Sequence, residues 1–222
     1  MQKFATPAPV SAVLDIPAGR IRFIAADRAD TTVEVLPADA SKSRDVKAAE
    51  RTTVEYADGV LRIEAAAAEN RILGQSGTVE VTVQLPAGSR VQAKTASAEL
   101  RGVGRLGDVT FEGAQASVKL DETAGAHLAV LAGDISVGRL NGPAEITTAK
   151  GDIHIAEAVH GTVTLRTEAG DVSVGAARGV SASLDAGTTY GRIRNALKNT
   201  DAAAGLSIHA TTAYGDITAR SL

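Results

Sequence analysis

Apolar and polar residues alternate along this chain in short runs broken by glycine, the period-two signature of β-strands joined by tight corners. Ile135/Val137, Ile153/Ile155 and Val172/Val174 fall on one face of their runs, with Ser136, His154 and Ser173 on the other. The aliphatic face is expected inside. The runs themselves recur. A Gly-acid-aliphatic step appears as Gly133-Asp134-Ile135, Gly151-Asp152-Ile153, Gly170-Asp171-Val172 and Gly215-Asp216-Ile217, with Gly191-Arg192-Ile193 as a basic variant; successive spacings in chain order are 18, 19, 21 and 24 residues. Degenerate steps at Ala116-Ser117-Val118 and Ala98-Glu99-Leu100 extend the series backwards at spacings of 17 and 18. A second glycine series (Gly107, Gly125, Gly142, Gly161, Gly179 and Gly205) lies about half a period away and introduces runs such as Val109-Thr110-Phe111 and Val163-Thr164-Leu165. Each repeat therefore holds at least two strands and two corners.

A motif that returns every second strand in the same orientation predicts an all-β fold, a parallel β-solenoid with coils of about 18 residues. Equivalent residues would stack about 4.8 Å apart. Val118, Ile135, Ile153, Val172, Ile193 and Ile217 are expected to form one apolar column in that order, each burial contributing roughly 1.5–3 kcal/mol. The strict six-residue spacing of a left-handed hexapeptide β-helix is missing, so a right-handed or flattened coil is expected. An antiparallel two-sheet sandwich would use the same strands but leaves the recurring orientation unexplained.

Upstream the repeat fades while strands continue: Val10 to Ile16, Ile21 to Ala25, Thr31 to Leu36, Thr53 to Tyr56, Val60 to Ala65 and Thr78 to Leu85. Ala57-Asp58-Gly59 reads as a hairpin turn. Polar segments at Ser41 to Arg51 and Ala66 to Gly77 read as loops, the first with room for a short helix. The chain is accordingly divided into residues 1–90, a β-rich cap or lead-in layer, and residues 91–222, the solenoid repeats. Such a cap covers the unpaired strand edge of the first coil.

Composition removes function classes rather than adding them. Of 222 residues, 44% are apolar, enough for a packed core without staples. The 23 basic and 26 acidic residues are spread evenly, and only six aromatics occur, none of them Trp. Nucleic acid is therefore not expected as a partner. Cysteine is absent, which excludes disulfides, Cys-ligated metals and thiol nucleophiles. No apolar stretch approaches 18 uncharged residues, so direct membrane insertion is not expected. The default expectation for compartment is cytoplasmic, or extracellular if a leader has been removed.

The run from Leu85-Pro86-Ala87-Gly88-Ser89 through the Gly-Asp steps to Tyr190-Gly191-Arg192-Ile193-Arg194-Asn195 resembles a bacterial β-strand-repeat family of unknown function labelled "putative adhesin", in an actinobacterial type of branch. The resemblance extends to Gly19-Arg20-Ile21 and Thr32-Val33-Glu34-Val35 near the start. It implies a parallel β-helix-like fold with no established catalytic residues, cofactor or substrate.

The candidate chemistry is sparse. The glycines and carboxylates of the repeat corners (Gly133, Asp134, Gly151, Asp152, Gly170, Asp171, Gly191, Gly215, Asp216) could form a cation-binding row, but the dense nine-residue glycine and aspartate repeat of calcium solenoids is missing. The expectation is structural: each Asp caps its corner by accepting backbone N–H groups, and Arg192 interrupts the row. His127, His154, His160 and His209 show no ligand spacing. Tyr190 and Tyr214 sit at equivalent Tyr-Gly corners and are expected to stack over the last apolar layers, with a surface binding spot as the alternative. No Walker, dinucleotide, His-Glu-x-x-His or Gly-x-Ser-x-Gly motif occurs. The reading is a non-enzymatic interaction scaffold without catalytic residues, cofactor or metal, whose partner is an unidentified protein or glycan. Self-association through sheet edges is a further expectation. The alternative is a carbohydrate-active or carbohydrate-binding β-helix protein.

Overall fold

Alternation along the runs becomes a wound sheet in the computed structural model, which describes residues 1–65, 77–199 and 204–222. The polar segment from 66 to 76 lies outside the described residues. The elements are β1 (Gln2–Ala5), β2 (Ser11–Asp15), β3 (Ala18–Ala26), β4 (Asp30–Pro37), α1 (Ser43–Arg51), β5 (Thr52–Ala57), β6 (Val60–Ala65) and β7 (Val79–Pro86). Then comes β8 (Arg90–Ala132), which turns several corners without losing its ladder. After it follow β9 (Ile135–Leu140), β10 (Ala144–Lys150), β11 (Ile153–Ala158), β12 (Gly161–Ala169), β13 (Val172–Ala176), β14 (Ala182–Tyr190), β15 (Ile193–Ala196), β16 (Leu206–Tyr214) and β17 (Ile217–Ser221).

The strands stack as two parallel ladders of one β-solenoid. In the first, β6, β2, β8, β10, β12, β16 and β14 follow one another. In the second the order is β7, β3, β8, β9, β11, β13, β17 and β15. The aliphatic faces of both meet in a single core: Ile146, Leu165 and Ile208 from the first ladder and Val137, Ile155 and Val174 from the second are at most 2% exposed. The inward face assigned to Ile135/Val137, Ile153/Ile155 and Val172/Val174 is the buried one.

The order of the last rungs departs from the sequence expectation. Val172 pairs with Ile217, and Ile217 in turn pairs with Ile193. The column therefore runs Val118, Ile135, Ile153, Val172, Ile217, Ile193, with the last two exchanged. After β13 the chain skips one rung, lays down β14 and β15, and returns to fill the gap with β16 and β17. Spacings alone could not reveal this, because a column is defined by residue type and not by visiting order. The consequence is visible in burial: Val118, Ile135, Ile153, Val172 and Ile217 are each 1% exposed, while Ile193 is 45% exposed.

A similar exchange occurs at the other end. The rung formed by β2 and β3 lies between β6–β7 on one side and the beginning of β8 on the other. The lead-in thus contributes two full rungs as well as a closing layer. That layer is antiparallel: β4 pairs with β7, β1 with β4, and β5 with β6 across a turn in which Asp58 and Gly59 both have positive φ. The helix α1 packs on β4, β7 and β6. Its buried Asp45 accepts a hydrogen bond from the Thr78 amide at 3.0 Å, tying the helix to the start of β7. The sequence reading missed β1, a four-residue strand without a repeat signature. No helix among the described residues is long and apolar enough to cross a membrane.

Candidate functional site

The corner after the first ladder gathers nearly all the residues singled out from the sequence. Gly133, Gly151, Gly170 and Gly215 have φ between 140° and 154°. A Cβ on Gly170 would fall inside the Gly151 carbonyl oxygen, and one on Gly215 inside the Gly170 carbonyl oxygen. Rungs pack here backbone against backbone, and only glycine permits it.

The carboxylates one residue on form a directed chain. Asp134 Oδ1 accepts the Asp152 amide at 2.9 Å, Asp152 Oδ1 the Asp171 amide at 2.8 Å, and Asp171 Oδ1 the Asp216 amide at 2.7 Å. Asp216 Oδ1 then accepts the Arg192 amide at 2.9 Å. Arg192, expected from the sequence to interrupt the row, ends it instead. With no further rung beyond Arg192 among the described residues, no amide there needs an acceptor.

A second ladder runs beside the first. Thr148 Oγ1 donates to the Gly133 carbonyl at 3.4 Å, Thr167 to Gly151 at 3.0 Å, Thr212 to Gly170 at 3.0 Å and Thr188 to Gly215 at 3.0 Å. These threonines escaped the sequence reading. The signal was present, since each stands three residues before the glycine of its own step. Both ladders follow the exchanged order of the last rungs.

At the same corner Tyr190 and Tyr214 stack with ring centroids 5.0 Å apart and planes inclined by 8°. They do not cover the last apolar layers. They stand 65% and 60% exposed, on a corner column with Ala132, Lys150 and Ala169.

The histidines lie elsewhere. His127 Nδ1 is 3.6 Å from Glu145 and His209 Nδ1 is 3.4 Å from Asp185, on the outward face of the first ladder, where Thr164 separates the two pairs. His154 and His160 are exposed. Among the described residues no group of three or more His, Asp or Glu side chains is placed to hold a metal ion. Depressions in the surface are shallow, such as one of about 460 Å³ bordered by Lys94, Glu112 and Leu131. The buried Thr95 hydroxyl at its margin has no hydrogen-bond partner among the described residues.

The Toastrack DUF4097 family model matches residues 13–221. The chain belongs to the Toastrack DUF4097 family. No curated protein matches it. Among solved structures, this Toastrack chain is similar to one from Parabacteroides distasonis described as a "putative adhesin", at 14% identity and a TM-score of 0.52, covering 98% of this chain and 95% of that one. A "putative adhesin" from Bacteroides fragilis matches at 9% identity and a TM-score of 0.47, covering 98% and 95%. A "putative lipid binding protein", also from Parabacteroides distasonis, matches at 10% and 0.45, with the same coverage. At 14% identity the first likeness is one of fold, and it extends over nearly the whole of both chains.

Proposed function

We propose that this Toastrack chain is a non-catalytic scaffold that offers a rigid, mostly polar surface to a partner protein. One observation carries the reading: the aligned carboxylates, the groups a glycan-cleaving site would need free, are engaged in holding rungs in register. The adhesin description of the Parabacteroides protein of like fold is consistent with it. Neither the geometry nor the comparisons favour the carbohydrate alternative.

The test is affinity capture with the tagged chain from fractions of its native cell. A partner that is retained reproducibly and displaced by excess untagged protein is expected. Cleavage of a polysaccharide by the purified protein, lost in the Asp171→Asn variant, would contradict the scaffold reading.

A further inference from the structure

The two ends of the solenoid are finished differently. At the β6–β7 end, antiparallel strands and α1 close the stack. At the other end the rung β14–β15 pairs on one side only among the described residues, through β16 and β17. Its inward residues carry the consequence. Leu184 and Ala186 are only partly buried and Ile193 is 45% exposed, whereas Leu165, Ile208 and Ala210, one or two rungs inside, are at most 1% exposed.

Among the described residues this end is also basic. Arg192 and Arg194 stand exposed on the last rung, with Lys198 and Arg220 exposed beside it. None of the four forms an ion pair among the described residues, and the rung's own Asp185 is turned to His209. Tyr190 meets Tyr214 with one ring face, leaving its other face as the end of the aromatic stack.

We propose that the end rung accepts an extended acidic segment of a partner protein as one further rung. This deepens the scaffold reading and rests on it. The columns specify the occupant. Aliphatic side chains would continue Leu184 and Ile193, an aromatic ring would continue Tyr190, and carboxylates would face Arg192 and Arg194. A second copy of the chain is the poorer occupant, because joining two such ends sets arginine against arginine.

The probe is a synthetic peptide copying residues 206–218, which retains Tyr214 and Asp216, with glutamate in place of Thr218. The control carries lysine at positions 216 and 218. The intact 222-residue chain is expected to bind the acidic peptide about tenfold more tightly than the basic one. Binding is expected to slow amide exchange across 182–196, and the double variant Arg192→Glu/Arg194→Glu should reverse the preference. Tyr190→Ala, which removes an exposed ring whose one packed face meets Tyr214, should weaken the acidic peptide several-fold while leaving the charge preference intact. Equal binding of the two peptides, no binding of either, or protection confined to the opposite end would overturn the proposal. So would concentration-dependent dimers that protect 182–196, or anionic phosphatidylglycerol vesicles that bind this end while the acidic peptide does not. A partner captured from cells whose footprint lies on an outer face would overturn the end-rung proposal and leave the scaffold reading standing.

Discussion

At the corners, the conflict between close backbone packing and side-chain volume is resolved by glycine, and the amides so exposed are met by the neighbouring aspartate. Gly170→Ala puts a methyl group into the Gly151 carbonyl at φ +154°, so a loss of about 2–4 kcal/mol is expected in chemical denaturation. Asp152→Ala leaves the Asp171 amide without its acceptor and should cost about 1–2 kcal/mol. Asp152→Asn keeps an acceptor oxygen while removing a like charge from the row, so it should lie within about 0.5 kcal/mol of the parent. A larger loss for the asparagine variant than for alanine would sink the capping account. Acid sensitivity is expected at the closing end. Hydrogen bonds from Arg28 and then Lys3 lower the Asp30 carboxyl from 3.8 to about 2. A depressed carboxyl stabilises the fold above its ordinary value and loses that contribution as pH falls through about 2. Asp30→Asn should therefore flatten the stability profile between pH 3.8 and pH 2. The Gly-Asp steps were legible because four of them recur with the same Gly-Asp-aliphatic order, so that the Arg192 variant could still be aligned to them. The Thr-x-x-Gly ladder was equally regular but went unread, since a lone threonine in a strand carries no turn signal.

Among the elements, alternation revealed which face of each strand is buried, and the Asp58-Gly59 turn was readable because both residues tolerate positive φ. The helix over 43–51 was read only as room in a polar loop. Its helicity comes from packing on β4, β7 and β6 and from the Asp45 bond to Thr78, contacts distant in sequence. Asp45→Ala should cost about 1–3 kcal/mol by stranding that amide, and circular dichroism should show the loss falling on the helix as well as on global stability. Protection should vary along the ladders. Amides of β10 to β13 pair on both sides and should exchange slowest, whereas those of β14 and β15 should exchange fastest among the ladder strands. Uniform protection across all rungs would contradict an open end.

For the whole molecule, the sequence revealed the winding but not its order. A repeat tells which residues share a column; only pairing tells which rung is outermost, and here the chain lays down its end rung before the rung beneath it. That order makes sense of three particulars at once: Arg192 where other rungs carry aspartate, the exposure of Ile193, and the open stack of Tyr190 on Tyr214. The central claim is therefore the exchanged order, and engineered disulfides test it directly in a chain without cysteine. Thr164 pairs with His209 on the adjacent rung, and His209 with Asp185 on the next. Neighbouring rungs lie about 4.8 Å apart, within reach of a disulfide, while two rungs exceed the limit of about 7 Å. Under mild oxidation, Thr164→Cys/His209→Cys should close nearly completely and Thr164→Cys/Asp185→Cys should stay reduced. Closure of the second pair and failure of the first would show that the rungs follow chain order, and the account of the basic open end would fall with it.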